Sequence, residues 1–492
     1  MSCTQSCAPR GTGAGDMDSC ARFGVVDEAD VGVVSFVSSS PGCGGVLKTV
    51  PEDFVVSEIR SSGEVVQLPM TTATADEKAC AKSDLLTFVL HKKGVDTLEA
   101  LAQISQLSCV ASSRFGIAGI KDSWAVTTQD VTAWGVRVGV IQAAIQDLQH
   151  IQAAGFQPAD KMLRPGHNYG NQFKLRLRSI EKGQELRLGQ IFGHLREHGF
   201  VNYIGLQRFG KAGVRSPDVG RAMLQQDYVR CVETILLPER HEKLKIREAP
   251  WVETWMRTGN ASAALRAGVP QRAWVERRLL ETIAASYTQS GQGPGAVPNW
   301  EEICRRAFLG LPKNIRCIYV HSYLDKLWNL AATDRLRLSP DKIVIGDWVC
   351  VGYPCSMDRA LMVETEEQAA EYCIQDLILP RLGHDVQLPG NELAVLMRQY
   401  LQYDGLSFED LWYEAGEDTV EQLRTTLRHV ISRPEDLHWR VAPDPEDAAF
   451  VHVKCTFNLR TGQYATMVMR EVMSTKPRHP PMARHVVFSD SD

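Results

Sequence analysis

Residues 170–178 read GNQFKLRLR, a stretch that alternates strictly between two kinds of side chain. In a strand, one face would carry an amide, an aromatic ring and two leucines, and the other would carry Lys174, Arg176 and Arg178. Two interpretations are open. The segment is an ordinary half-buried strand with a solvated face, or it binds nucleic acid, with Phe173 stacked on a base and the arginines on phosphates. Both predict a β-strand.

Strand-like and helix-like patterns alternate on either side of this segment. Runs of β-branched residues bounded by turn formers predict strands at residues 54–59 and 85–90. Asp96 and Glu99 form a capping-box pattern that predicts the start of a helix. A second helix is predicted over residues 185–198. The first part of the chain is therefore predicted to be a mixed α and β domain.

The middle of the chain has a different pattern. Residues 211–310 are mostly helical in periodicity and carry 15 Lys/Arg against 11 Asp/Glu, a net charge of +4. From about Ile318 a long helix is predicted, because apolar residues recur at steps of three and four. Its stripe consists of Val320, Tyr323, Leu324, Leu327, Trp328 and Ala331. β-Like runs return at residues 450–457 and 464–469. This order predicts one domain inserted into another.

The composition is that of an ordinary globular protein, with 492 residues of which 44% are hydrophobic and 23% charged. It excludes collagen-like and wholly disordered chains, and the length predicts two or three domains. The apolar runs fall short of the roughly 18 residues that a membrane span requires, so we expect a soluble protein. The net charge of −5 gives no global signature of a nucleic-acid binder. However, residues 361–450 carry 6 Lys/Arg against 19 Asp/Glu, so the charge is unevenly distributed.

The chain has 13 cysteines and no C-x-x-C pair, which favours a reducing compartment. Cys350 and Cys355 lack partners at zinc-finger spacing, so we expect them to be free thiols. Residues 1–20 lack both the apolar core of a secretory signal and the Arg-rich pattern of a transit peptide. We therefore predict a location in the nucleus or cytoplasm and leave the mitochondrion open.

The segment HLREH, residues 194–198, matches the H-x-x-E-H pattern of one class of zinc metallopeptidases. His194 and His198 would lie on one helix face as ligands, with Glu197 as general base. No third ligand is identifiable downstream, and the segment equally fits the polar end of a helix. We therefore predict no metal and keep a metallopeptidase as a remote alternative.

The segment GIAGIKDSWAVTTQ, residues 116–129, places Lys121 and Asp122 at a turn between two apolar runs. Gly116 and Gly119 would allow close approach of the backbone. An acid at such a turn could point into a cleft, or it could simply cap a turn or a helix. The local sequence leaves both interpretations open.

Seven segments, in the same order, resemble the motifs of the TruD family of pseudouridine synthases over about residues 46–475. They are KTVPEDFVVSEI (48–59), GIKDSWAVTTQ (119–129), GNQF (170–173), NYIGLQRFG (202–210), VHSYLDKLWN (320–329), RPEDLHW (433–439) and GQYATMVMRE (462–471). Tyr464 and the overall length are similar to the eukaryotic members. Two departures are Ser123, where the family usually has a basic residue, and Ile204, where it usually has Phe.

The resemblance implies an α+β fold. A pseudouridine synthase catalytic domain with a mixed, mainly antiparallel sheet would be split by an inserted α/β TruD domain. The domain limits that follow are a flexible leader (1–40), the first part of the catalytic domain (41–201), the TruD insertion (202–430), the second part of the catalytic domain (431–476) and a flexible tail (477–492).

The resemblance also implies an enzyme that isomerises a specific uridine of RNA, first of all tRNA, without a cofactor and as a monomer. The catalytic carboxylate would be Asp122. Supporting or base-stacking roles would fall to Lys48, Asn171, Phe173 and Tyr464. Apart from what the motifs imply, we expect candidate contacts to RNA from Arg114, Lys121, Arg208 and Lys211. An RNA-binding relative that has lost catalysis is the main alternative function.

Overall fold

The computed structural model of the chain describes residues 27–69, 80, 83–146, 148–211, 214–237, 249–271, 273–289, 299–416, 419–444 and 447–474. The strands are β1 (Val46–Leu47), β2 (Phe54–Arg60), β3 (Leu85–Lys93), β4 (Phe115–Ile117), β5 (Val126–Trp134), β6 (Ile151–Pro158), β7 (Asn168–Glu181), β8 (Phe200–Val201), β9 (Gly210–Lys211), β10 (Val214–Arg215), β11 (Trp348–Val349), β12 (Leu361–Met362), β13 (Leu377–Arg381), β14 (Trp412–Gly416), β15 (Thr419–Gln422), β16 (Thr426–His429), β17 (Ile431–Ser432), β18 (Glu435–Pro443) and β19 (Phe450–Arg460).

The helices are α1 (Thr97–Ser108), α2 (Val138–Ile145), α3 (Glu185–His198), α4 (Ser216–Leu224), α5 (Tyr228–Leu236), α6 (Pro250–Thr258), α7 (Ala261–Arg266), α8 (Trp274–Gln289), α9 (Trp300–Leu309), α10 (Lys313–Leu338), α11 (Glu366–Glu371), α12 (Leu393–Tyr403) and α13 (Ala465–Met473). Within the described residues, none of these helices is both long and apolar enough to cross a membrane.

The chain divides into two compact units. Of the described residues, the first unit contains 40–199 and 433–474, and the second contains 27–39 and 200–432. Residues 1–40 are predicted to be a flexible leader, but its last part is packed in the structure. Val31 and Val33 are each only 1% exposed. Thr333 of α10 also donates a hydrogen bond to the carbonyl of Gly32 in this segment. Residues 1–26 of the leader and the predicted tail, 477–492, lie outside the described residues.

The first unit is built on a mixed sheet in which β18, β19, β7, β2, β5, β3 and β6 lie side by side. Strands β1 and β4 pair with β7 and β5 respectively. Only the β2–β5 pair is parallel among the ladders of this sheet in the described part of the chain. The predicted fold, α+β with a mainly antiparallel sheet, is therefore confirmed.

Strands β7 and β19 come from the two separate segments of this unit and form its longest ladder. The pairing runs from Phe450 opposite Glu181 to Arg460 opposite Gly170. Alternation along β7 is as predicted, since Leu175 and Leu177 are 2% and 0% exposed. The sheet is therefore complete only when both segments of this unit contribute to it.

Two helices of this unit begin where the sequence predicts. The Asp96 side chain accepts a hydrogen bond from the backbone N–H of Glu99 at 2.9 Å, which caps α1. The limits of α3 are those predicted from its periodicity.

The strand predicted at residues 464–469 is wrong, because this segment begins the helix α13. Buried side chains recur at steps of three and four, at Ala465, Val468, Met469 and Val472. Ala and Met favour helices, so the segment follows its packing and its propensity together.

The second unit is mostly helical and includes a four-stranded antiparallel sheet in the order β12, β11, β13, β16. Helix α10 runs beneath this sheet, and its predicted apolar stripe is confirmed, since all six residues are buried. The helix also carries a buried ion pair. Arg335 binds Asp347 through Nε and Oδ1 at 2.7 Å, and both side chains are 0% exposed.

Candidate active site

Asp122 lies in the loop between β4 and β5 of the first unit. Its Oδ2 is 2.8 Å from Nζ of Lys48, and the two side chains are 30% and 10% exposed respectively. The Lys48 ammonium also lies 3.9 Å from the centre of the Phe54 ring. The carboxylate therefore has a cationic partner behind it and an edge that remains accessible to a ligand.

Lys48 is held in this position by its backbone as well as by its side chain. It follows β1 directly and has a φ of 60°, in the left-handed region. The indole N–H of Trp124 donates to the Lys48 carbonyl at 3.0 Å. This bond joins the Lys48 turn to the Asp122 loop, and the Trp124 residue remains 39% exposed.

A buried ion pair anchors the loop on the sheet. Nζ of Lys121 is 2.7 Å from Oε2 of Glu58 on β2, and the two side chains are 5% and 2% exposed. Burial raises the pKa of Glu58, and the charge of Lys121 opposes this effect. Lys121 was predicted to contact RNA, but here its ammonium faces the protein interior.

A chain of side-chain hydrogen bonds ties the same loop to α1 and β5. The Lys121 N–H donates to Oγ1 of Thr97 at 2.9 Å, and that hydroxyl donates to Oε1 of Gln129 at 2.8 Å. Nε2 of Gln129 then donates to the Gly119 carbonyl at 3.0 Å. The backbone N–H of Lys121 and the carbonyl of Gly119, both in the loop that presents Asp122, are thus satisfied within the protein.

The predicted base-contacting residues differ in exposure. Phe173 is 7% exposed and stacks on Phe457 with ring centres 5.6 Å apart, so its ring belongs to the core. Asn171 lies opposite Glu58 in the β2–β7 ladder. Its Oδ1 is buried and has no hydrogen-bond partner among the described residues. Tyr464 is half-buried at the N-cap of α13.

Two of the three remaining predicted RNA contacts have partners in the protein. Arg114 is exposed and donates to the Gly135 carbonyl at 3.0 Å. Arg208 belongs to the second unit, where its Nε is 2.7 Å from Oδ2 of Asp325. Lys211 ends β9, and its side chain lies outside what the structure describes.

The metal-binding alternative gains no support. The rings of His194 and His198 are 4.4 Å apart on α3. Among the described residues, no group of three or more His, Cys, Asp or Glu side chains is placed to hold a metal ion. Cys350 and Cys355 form no disulfide.

Three residues of this network, Glu58, Thr97 and Gln129, are not predicted from the sequence. One signal could have identified Glu58. Along β2 it shares the buried face of Phe54 and Val56, and an acid on such a face needs a partner.

Comparisons with known proteins give consistent matches. A family model described as tRNA pseudouridine synthase D (TruD) matches residues 30–472. The human protein named Pseudouridylate synthase 7 homolog is 26% identical over 562 residues, covering 91% of this chain and 81% of that protein. The protein of Archaeoglobus fulgidus named Probable tRNA pseudouridine synthase D is 26% identical, with coverages of 91% and 99%. The Multisubstrate pseudouridine synthase 7 of Schizosaccharomyces pombe is 26% identical, with coverages of 79% and 62%.

A solved structure shares the fold. The crystal structure of a candidate tRNA pseudouridine synthase D (TruD) from Methanosarcina mazei covers 90% of this chain and 97% of its own. The TM-score is 0.61 at 23% sequence identity.

Proposed function

The chain belongs to the TruD family of pseudouridine synthases, and from that premise we propose that it isomerises a uridine of tRNA with Asp122 as the catalytic carboxylate. The observation that carries this proposal is the geometry of Asp122. Its carboxylate is paired with Lys48, is partly exposed and lies on a loop fixed by buried polar contacts. The matching motif and this geometry point to the same residue.

The reaction needs one carboxylate and no external electrons. The C1′–N1 bond of uridine breaks, a C1′–C5 bond forms, C5 loses its proton and N1 gains one. Asp122 would act as a nucleophile at C1′ or as a base at C2′ that gives a glycal. Lys48 would hold the carboxylate in place for either route.

The target uridine must leave its stack before it can reach Asp122, at a cost of a few kcal/mol. In our proposal the half-buried ring of Tyr464 stacks on the extruded base, which would contribute roughly 1–3 kcal/mol. The Oδ1 of Asn171 is buried and has no donor among the described residues. In our proposal the bound RNA supplies that donor. Phe173 would support the site from the core.

The substrate proposal rests on the names of relatives. The family model and the Archaeoglobus fulgidus relative are named for tRNA, whereas the Schizosaccharomyces pombe relative is named multisubstrate. We therefore propose tRNA as the first substrate, with other RNAs tested next. A monomer in the nucleus or cytoplasm stays a prediction.

The deciding experiment is tritium release from uridine C5 in labelled total tRNA. We expect release by the wild type and none by Asp122→Asn, because an amide keeps the shape but cannot attack carbon or accept a proton. Asp84→Asn changes an exposed acid before β3 and should behave like the wild type. Filter binding should show that Asp122→Asn still binds tRNA.

Two results would count against the proposal. Wild-type turnover by Asp122→Asn would remove the assignment of the carboxylate. Intact binding without release by the wild type, on tRNA, messenger RNA and ribosomal RNA alike, would favour the catalytically silent relative.

A further inference from the structure

Lys92 is a charged residue in the core of the first unit. It is the penultimate residue of β3, and it is 0% exposed. Its ammonium donates hydrogen bonds to the backbone carbonyls of Val95 at 2.7 Å, Asp122 at 2.9 Å and Lys121 at 3.3 Å. Two of these three carbonyls belong to the loop that presents the proposed catalytic carboxylate.

The arrangement matches donors to acceptors completely. An ammonium group has three N–H bonds, and three carbonyl oxygens converge on it. Carbonyl oxygens cannot bond to one another, so they need a shared donor to lie together in a buried place. Removing that donor would leave buried acceptors unsatisfied, which is costly.

We propose that Lys92 is a positioning residue that fixes the backbone at Asp122 and thereby directs its carboxylate toward the ribose. This inference rests on the proposed role of Asp122. The hydrogen bonds of the Lys92 ammonium go to main-chain carbonyls, including that of Asp122, and not to the Asp122 carboxylate. Lys92 acts through the main chain of Asp122.

The charge state of Lys92 should make the arrangement sensitive to pH. Burial lowers the pKa of Lys92 from 10.5 to about 8. Charged and titratable groups that face it are His91 on its own strand, Asp96 and Glu99 at the start of α1, and Lys121 and Asp122 in the loop. The neutral amine keeps only two N–H bonds, so one of the three carbonyls would then face a lone pair. We expect the loop to shift while Lys92 stays buried, and isomerisation to slow, as pH rises through about 8.

Unfolding would not explain such a loss of activity. Between pH 8 and 10.5 the unfolded chain keeps the Lys92 proton and the folded chain does not. The contribution of Lys92 to stability therefore rises with pH in that window.

The test compares Lys92→Met with Lys93→Met in the full chain. Methionine matches the length of lysine and has no donor. Lys93 is the next residue, its side chain is 46% exposed, and it pairs with Glu52 at the surface. We expect Lys92→Met to lower the steady-state kcat by about 10²-fold with little change in KM, because small displacements of a reacting group have that effect. Lys93→Met should keep both constants.

Two further readouts separate positioning from general damage. Lys93→Met should keep the fall in kcat near pH 8, and Lys92→Met should lose it. Hydrogen exchange of residues 118–124 should be faster in Lys92→Met and unchanged in Lys93→Met. A folded Lys92→Met with wild-type kcat, pH profile and loop exchange would overturn the inference.

A second variant tests the inference should Lys92→Met fail to fold. Lys92→Gln keeps a neutral amide donor on a shorter side chain, so we expect residues 118–124 to exchange faster in it than in the wild type, and wild-type exchange in folded Lys92→Gln would refute the proposal. This measurement needs no turnover. An inactive wild type whose residues 118–124 exchange faster in the Lys92 variants would reject the proposed function and keep the role of Lys92 in the loop.

Discussion

Lys48 adopts a backbone conformation that lysine rarely takes, and the Trp124 indole holds the carbonyl of that residue. Trp124→Phe would keep an aromatic ring and remove only the N–H donor. We expect a loss of about 0.5–1.5 kcal/mol in unfolding free energy and a several-fold lower kcat, because Lys48 would shift relative to Asp122. Thermal unfolding and tritium release measure the two effects.

The matched control is Trp134→Phe. Trp134 is 56% exposed, ends β5 and lies under the Arg114 guanidinium. The Trp134→Phe variant should keep the unfolding free energy and the kcat of the wild type. Equal effects from both substitutions would show that the Trp124 hydrogen bond is unimportant.

Phe173 and Tyr464 were both predicted to meet the base, and their burial separates them. Phe173→Ala should lower the unfolding free energy by about 3–5 kcal/mol, because it removes a core ring packed on Phe457. Tyr464→Ala should cost less stability and lower single-turnover rates through lost stacking. Urea unfolding measures the loss of stability and tritium release measures the loss of activity. If Phe173→Ala were stable but inactive, Phe173 would be assigned to base stacking.

Helix α10 carries Arg335, whose buried charge is paired with Asp347 beyond the end of the helix. Arg335→Met would leave the fully buried Asp347 carboxylate without its partner, so we expect a loss of about 3–5 kcal/mol in urea unfolding. Arg335→Met combined with Asp347→Leu should recover much of that loss, because no unpaired charge remains. A single variant as stable as the double variant would contradict the argument.

Helices and strands can be predicted from the sequence where contacts between near neighbours determine them. Asp96 caps α1 through a neighbour three positions away, and alternation places Leu175 in the core. Residues 464–469 contain Thr, Val and Met, which fit a strand or a helix. Packing against distant parts of the chain therefore determines which of the two forms. The Lys121–Glu58 pair joins residues 63 positions apart, and no local pattern specifies it. The motif therefore indicates Asp122 as the candidate carboxylate. The residues that hold its loop can be identified only from the fold.

At the scale of the whole chain, net charge opposes the proposed RNA partner. The total is −5, and residues 361–450 are strongly acidic. Binding must therefore depend on local cations, and affinity for tRNA should fall steeply between 50 and 200 mM salt. Arg114→Gln should reduce the slope of log affinity against log salt by about 1. The control is Arg266→Gln, because Arg266 is an exposed arginine on α7. A flat salt response would contradict phosphate binding.

The β7–β19 ladder has a consequence for synthesis on the ribosome. Glu181 leaves the ribosome about 270 residues before its partner Phe450. At 5–20 residues per second, the nascent chain waits roughly 15–50 s with one edge of β7 unpaired. During that interval the apolar side chains destined to lie against β19 are exposed to other chains. We therefore expect the unpaired edge of β7 to be a site of aggregation or chaperone binding until the second segment has been made.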